Sequence, residues 1–491
     1  MVRTLTPWKL TGCLAATLLF SACEKPELEA PQPADVVAAA DGKSNDDDDD
    51  DDDDDINWNQ LIANFVQAGG GTTVENFGPF GMIQPATNLM GSALTEHMVG
   101  KEVFSRTFDI HLVAPLWNNV RCESCHVGGG RAGAPKVNAV TGVLTPQLLF
   151  RVSLPGVGPN GGPRPVPGFG DQIQPLKLVP GVDAQDDVRG ASAEGNVVVT
   201  YAEQAGRFKD GGAYSLRVPT YRFVKTTQDL PAGTLISPRT GSQITGLGLL
   251  EAVPESTILG FAEDNDDDGI SGRPNRVWDA ELGRTRLGRF GWKANQPSLR
   301  QQNAGAASGD MGLTSPVFPI ENDGTPGIGL PEVSEQELSA LTVFTQTLGV
   351  PALRNSTSQQ VLQGGALFVK AKCNSCHVMQ MRTGTLPGRP EVSNQLITPF
   401  TDLLLHDMGD GLADNRPDFL ATGREWRTAP LWGLGLQQIV NGHTNLLHDG
   451  RARNVMEAIM WHDGEAKKSR DKVKEMKASE RDALVAFLNS L

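Results

Sequence analysis

Two stretches far apart in the chain repeat one pattern of apolar positions at helical spacing. "SEQELSALTVFTQTLG" aligns Leu341, Phe344 and Leu348, and "SERDALVAFLNSL" aligns Leu484, Phe487 and Leu491, so both read L-x-x-F-x-x-x-L on one face of a helix. The first opens on a capping box, Ser334 with Glu337, and the second starts at Ser479. A shorter helix is predicted over "VMEAIMW", started by a box of Asn454 and Glu457 and ending at His462. Upstream of each long helix lies the frame G-x-x-x-F, as Gly100 with Phe104 and Gly364 with Phe368. Between these helical signals, "NVVVTYAE" and "YSLRVPTYRFV" are β-prone and predict a hairpin or small sheet. The stretch around them is rich in Gly and Pro and predicts a long irregular region.

The N-terminus follows another logic. A basic start (Arg3, Lys9), an apolar run at 14–20 and small residues before Cys23 read as a signal peptide over residues 1–22, with Cys23 as the lipidation site. Cys13 in "LTGC" precedes the apolar run and is the poorer candidate. No other window is apolar enough to span a bilayer, so membrane attachment is expected through the N-terminal lipid alone. Residues 23–56 hold almost no core formers and end in ten consecutive aspartates at 46–55, which predicts an acidic, solvated tether. An export or display signal, or a loose calcium sponge, is the alternative for the aspartates. They also account for most of the formal charge of −15, leaving about −5 elsewhere. Nucleic acid is excluded as a partner, since binding it needs clustered Lys and Arg.

The cysteines set the chemistry. Apart from Cys13 and Cys23, all four fall in two copies of C-x-x-C-H: Cys122, Cys125, His126 in "CESCH" and Cys373, Cys376, His377 in "CNSCH". This is the c-type haem attachment pattern: two thiols bond the porphyrin vinyl carbons, and the next histidine lies beneath the iron. Two disulfides or a four-thiolate zinc site explain neither histidine. With the G-x-x-x-F frame before each motif and the closing helix after it, the chain reads as an internal repeat of a helical cytochrome c unit. The fold expected is therefore mainly α, with two cytochrome c-like haem domains at 57–350 and 351–491. The first is expanded by the irregular region and its short strands.

Whether the sixth position of each iron is filled governs function. No histidine lies between His126 and His377, which leaves His97, His111 and Met311 as candidates at the first haem. The expectation there is a five-coordinate or weakly capped iron that binds a small molecule. At the second haem His406, Met408, His443, His448 and His462 are the candidates, and a residue at the end of a capped helix, His462, is well placed to reach the iron.

The segments "CESCHVGGGR", "GLGLLEAVPE", "DDDGISGRPNRVWD", "LGRFGWKA", "CNSCH", "DLLLHDMGDGLAD", "EWRTAPLWGLG", "LLHDGRA" and "EAIMWHDGEA" cover most of residues 100–491. In them the chain resembles the bacterial di-haem oxidoreductases, described as thiol oxidoreductases or peroxidases and related to di-haem cytochrome c peroxidases. The resemblance implies that the residue fourteen positions after His448 is the distal ligand. That residue is His462, where those peroxidases usually have Met, and imidazole in place of sulfur lowers the haem potential. It also implies reduction of hydrogen peroxide, with electrons passing from the C-terminal to the N-terminal haem after delivery by a small periplasmic cytochrome c or cupredoxin. The displaceable histidine that many relatives carry after the first motif is replaced here by "VGGGRAGAPKVNAVTG".

Further assignments follow. The relatives' distal glutamate implies Glu251 or Glu255 as the acid-base group, with Glu251 preferred; the alternative is a carboxylate at a helix start, with Glu255 capping the next turn. Asp264, Asp266 and Asp268 with Gly269 open a D-x-D-x-D-G loop, a candidate calcium site, although its twelfth position is Asn275 rather than glutamate. Trp292, Trp426 and Trp432 are candidates for the space between the haems or for packing their edges, and Arg424 and Arg427 for the propionates. The expected protein is a lipid-anchored oxidoreductase of the periplasm or cell envelope. Its rivals are a pure electron carrier and a di-haem oxidase of an organic or protein substrate. No cysteine is left over for dithiol exchange.

Overall fold

Each G-x-x-x-F frame sets a helix crossing. In the computed structural model, which describes residues 58–108, 116–132, 148–177, 194–225, 228–263, 269–321, 324, 326–327 and 329–491, helix Gly91–Ser105 packs on helix Glu335–Gln346, and helix Gln359–Lys370 packs on helix Ala478–Leu488. A Cβ added to Gly100 would lie 2.0 Å from the carbonyl oxygen of Ala340 and 2.7 Å from Cβ of Phe344. One added to Gly364 would lie 2.0 Å from the oxygen of Ala483 and 2.7 Å from Cβ of Phe487. The two crossings are thus copies, each glycine letting one backbone touch the other under an aromatic ring. Ser334 and Glu337 form the expected capping box; in the second closing helix Glu480 accepts from the backbone N–H of Lys477 at 2.7 Å, so the helix starts two residues before Ser479 would place its cap.

The mainly α expectation is overturned: the described residues are 35% helical and 22% strand, with many small sheets. Most of these sheets are ladders of two to four residues that pin loops, such as Thr73–Val74 on Val350–Pro351 and Met381–Arg382 on Leu396–Ile397. Ladders this short carry no periodic signature, so the hydrophobic pattern does not announce them. The larger pieces are a three-stranded sheet around Leu148–Val157 and a hairpin of Gly195–Arg207 with Ala213–Lys225. At the open end of the hairpin Val197 and Val199 bury against Phe150, Val152 and Ile173.

The tip of the hairpin belongs to a different core. Phe208 and Leu216 join the cluster of Phe368, Phe487 and Leu491. Around them Arg481 pairs with Asp210 at 2.9 Å and lies over the Phe208 ring, and Lys209 N donates to Lys474 O at 2.9 Å. Along the strand Arg217 donates to the carbonyls of Gly450 and Arg451, and Tyr221 donates to Asp449 at 2.7 Å. The expansion of the first repeat is therefore a strap across the second. The first helix, Trp58–Val66, also serves that core, which buries Ile62 and Phe65.

Candidate functional site

The turn Cys373–Ser375 leaves helix Gln359–Lys370 through Lys372, whose backbone is left-handed at φ +61°. His377 N then donates to Cys373 O at 3.0 Å, and Phe368 lies 6.4 Å from the imidazole. His377 Nδ1 donates to Phe400 O at 2.8 Å, which fixes the proton on Nδ1 and leaves Nε2 bare. Downstream, Asn454 caps helix Val455–Trp461 through Glu457 N at 2.9 Å, and His462 is the C-cap. Its Nδ1 donates to Ala458 O at 2.7 Å, so its Nε2 is bare too. Burial lowers both imidazole pKa values, that of His377 to about 4, keeping the rings neutral as metal ligation requires.

Both histidines line one cavity. Cys373, Cys376, Trp292, Trp426 and His448 share its wall. So do two buried guanidiniums that, among the described residues, hydrogen-bond only to carbonyls. Arg131 donates to Leu447 O and covers the Trp292 ring at 5.0 Å; Arg427 donates to Gly291 O and Thr428 O. Burial lowers each to about pKa 10. Buried cations without a carboxylate are costly, and a ligand bearing two carboxylates relieves both. A haem with its propionates fits this donor set. Arg424 lies elsewhere, at the surface on Asp407 and Asp410.

His448 lies flat against Trp426, ring centroids 3.8 Å apart and planes 10° from parallel, and its carbonyl accepts from Thr240 N. The other face of Trp426 is held by the buried Lys293 ammonium at 4.5 Å. Met408 also borders the cavity, whereas His443 turns Nδ1 to Asn445 N and lies off its wall. Trp432 is wholly buried in a neighbouring core.

His406 is a buried imidazole bridging Asp402 at 2.7 Å and Glu465 at 2.8 Å, with Cys376 Sγ at 3.6 Å. Burial opposes its charge, but the two carboxylates outweigh it and raise its pKa well above the ordinary value. Burial likewise pushes Glu465 up, and His406 and the Asp407 N–H overcome that and hold it low. The stabilisation from His406 is whole below about pH 6.5 and is lost as pH rises through its raised folded value. That from Glu465 holds above about pH 4.3 and is lost as pH falls through its lowered folded value. His406→Asn should therefore cost about 3–5 kcal/mol near pH 6, by stranding buried carboxylates. Urea unfolding from about pH 6 to about pH 10 should show the gap to wild type closing; a gap constant across that range would refute the assignment.

The first motif repeats the frame. His126 N donates to Cys122 O at 3.1 Å, and Phe104 lies 6.4 Å from the imidazole, as Phe368 does from His377. Gly241 faces the His126 ring, and burial lowers the His126 pKa. Met311 is buried in the core of Phe104 and Leu341, and His97 sits in the helix seam, its Nδ1 on Thr347 Oγ1 at 2.8 Å and its ring against Phe344. His111 lies outside the described residues.

Two carboxyls near this motif, the half-buried Asp310 and the buried Glu194, escape a sequence reading. Asp310 accepts from Gln172 at 3.0 Å; burial raises its pKa, and after burial itself its charge is the main influence raising the Cys122 and Cys125 thiols to about 12. Glu194 accepts from Gln174 N at 2.6 Å, and burial pushes it up to about 8, so it holds a proton at neutral pH. Gln174 joins the two through Gly309 O. Neither carboxyl has a motif around it; only burial distinguishes them.

Glu251 is occupied otherwise, accepting from Leu299 N at 2.7 Å and Gln346 Nε2 at 2.6 Å, which makes it a cap for helix Leu299–Met311. Glu255 is exposed on Arg276. Asp264, Asp266 and Asp268 lie outside the described residues, as does Cys23; Asn275 is buried and bonded to Lys293 O, Asp418 O and Leu420 N. The four thiols are free of disulfides. Among the described residues no group of three or more His, Cys, Asp or Glu is placed to hold a metal ion, which removes the four-thiolate zinc alternative. No helix among them is long and apolar enough to cross a membrane.

Duplicate helix crossings, each delivering an imidazole, and a cavity with buried cations at one of them fit a protein with two haem centres. Over residues 63–491 the chain matches the family described as "Di-haem oxidoreductase, putative peroxidase", and it belongs to that family. It is thus an oxidoreductase whose family carries two haems. No curated protein and no solved structure matches it.

Proposed function

We propose that the protein reduces hydrogen peroxide, taking electrons at the second haem and using them at the first. The observation that carries this reading is the pair His377 and His462, two neutral imidazoles with bare Nε2 atoms on one cavity. A centre with both axial positions filled by protein exchanges electrons but offers no site to an oxidant. Cys373 and Cys376 would bond the second haem covalently, and Arg131 and Arg427 would take its propionates. Cys122, Cys125 and His126 would hold the first, whose iron would supply the chemistry for peroxide.

The balance is one peroxide, two electrons and two protons to two waters. Glu194, protonated at neutral pH, and Asp310 beside Cys122 and Cys125 support proton delivery at the first centre. The electrons come from a small periplasmic cytochrome c or cupredoxin. The signal-like N-terminus and Cys23 support export and a lipid anchor in the periplasm or cell envelope, and residues 264–269 remain the candidate calcium loop.

The test is spectroscopic. The oxidised protein should show one high-spin and one low-spin haem, with only the high-spin band shifting on cyanide. The fully reduced protein should lose both electrons to one equivalent of peroxide. Two low-spin, unresponsive haems would establish an electron carrier instead. A high-valent state that persists without a donor would favour an oxidase of an organic or protein substrate.

A further inference from the structure

The second cavity reaches the surface between the end of helix Gln359–Lys370 and helix Lys467–Glu475, where Lys372, Ala466, Ser469 and Arg470 rim it beside Cys373. The two elements are tied there: Lys472 Nζ donates to Lys370 O at 3.3 Å, and Ser469 Oγ donates to Lys372 O at 3.3 Å. The carboxylates nearby are taken. Asp471 is paired with Lys467 at 2.9 Å and with Arg470 at 3.0 Å, Asp463 with Arg470 at 3.4 Å, and Glu475 with Lys209 at 3.9 Å. Lys370, Lys372, Lys472 and Lys474 have no ion-pair partner among the described residues, and the first three are exposed. A chain whose net charge is about −5 even without its ten consecutive aspartates thus presents a positive face at one haem edge.

We propose that this lysine rim docks a small acidic electron-transfer protein, which passes single electrons to the second haem at its Cys373 and Cys376 edge. The proposal rests on the reading that electrons enter at that haem. Each encounter oxidises the donor by one electron and reduces the second centre by one, and no proton moves. Like charges over the rest of the molecule would repel an acidic donor, so the positive face both attracts and orients it. An anionic membrane is the poorer occupant, because Val473 and Met476 of the same segment are buried inward, leaving no apolar face to enter lipid.

Calorimetric titration of the full-length holoprotein with oxidised flavodoxin, a small acidic redox protein, tests this. Binding should weaken about tenfold or more between about 20 and about 300 mM salt. Lys370→Glu/Lys472→Glu/Lys474→Glu should lose a similar factor at low salt. The triple variant should still be reduced at the wild-type rate by the neutral deazariboflavin radical, which reports an intact second haem. Absent or salt-independent binding, or a triple variant that binds as wild type does, overturns the proposal. So does a preference for phosphatidylglycerol over phosphatidylcholine vesicles that the variant loses while flavodoxin binding is unchanged. Since no peroxide is present, a protein that binds flavodoxin but fails to reduce peroxide refutes only the peroxidase reading.

Discussion

His462→Ala should convert the second haem from low-spin to high-spin, whereas His448→Ala should leave it low-spin. The two histidines border one cavity but are held differently. His462 ends a capped helix with Nδ1 on a carbonyl and Nε2 bare, while His448 is spread flat on Trp426, where its ring packs and does not project. Removing His462 should also slow electron flow to peroxide by more than the ~10–100-fold typical of losing an outer partner of a metal ligand. His462→Met should restore the low-spin state and raise the potential, since a thioether favours ferrous iron. The electron paramagnetic resonance spectrum of each oxidised variant decides the matter, and a His462→Ala protein that stays low-spin would refute the assignment.

Gly364→Ala should destabilise the protein by about 2 kcal/mol or more, and Gly100→Ala by a similar amount. Alanine gains up to ~1 kcal/mol of helix propensity over glycine, so the clash must exceed that gain. It does, because the atom 2.0 Å from the new Cβ is a backbone oxygen in both crossings and cannot swing aside. The crossing must open, and Phe487 or Phe344 loses its packing. Gly260→Ala is the control: the residue is helical, nothing lies within 4 Å of an added Cβ, and propensity alone should act. Thermal unfolding should place the two crossing variants about 2 °C or more below wild type, with Gly260→Ala at or above it.

These two expectations draw on different parts of the sequence. The attachment motifs, the G-x-x-x-F frames and the closing helices are local, and the chain states them in a few consecutive residues. Arg427 could be picked out because "EWRTAP" sits among recognisable segments. Arg131 could not, since its burial depends on Trp292 and Leu447, both remote in sequence. Glu194 and Asp310 were hidden for the same reason. Glu251 shows the converse: Leu299 and Gln346 come from distant elements to occupy both its oxygens. The strand content was underestimated because two-residue ladders record loop closure rather than hydrophobic alternation.

The N-terminal helix gives the molecule an order of assembly that differs from its order of synthesis. Ile62 and Phe65 leave the ribosome before either attachment motif, yet they share a core with Phe487 and Leu491, which follow both motifs. The crossing at Gly100 can close once Phe344 has emerged, whereas the second core must hold its earliest stretch of apolar chain open until Phe487 and Leu491 have emerged. Contacts of such long sequence separation form slowly. Ile62 and Phe65 are thus an apolar surface to be shielded until then, and the second core is the later of the two to close.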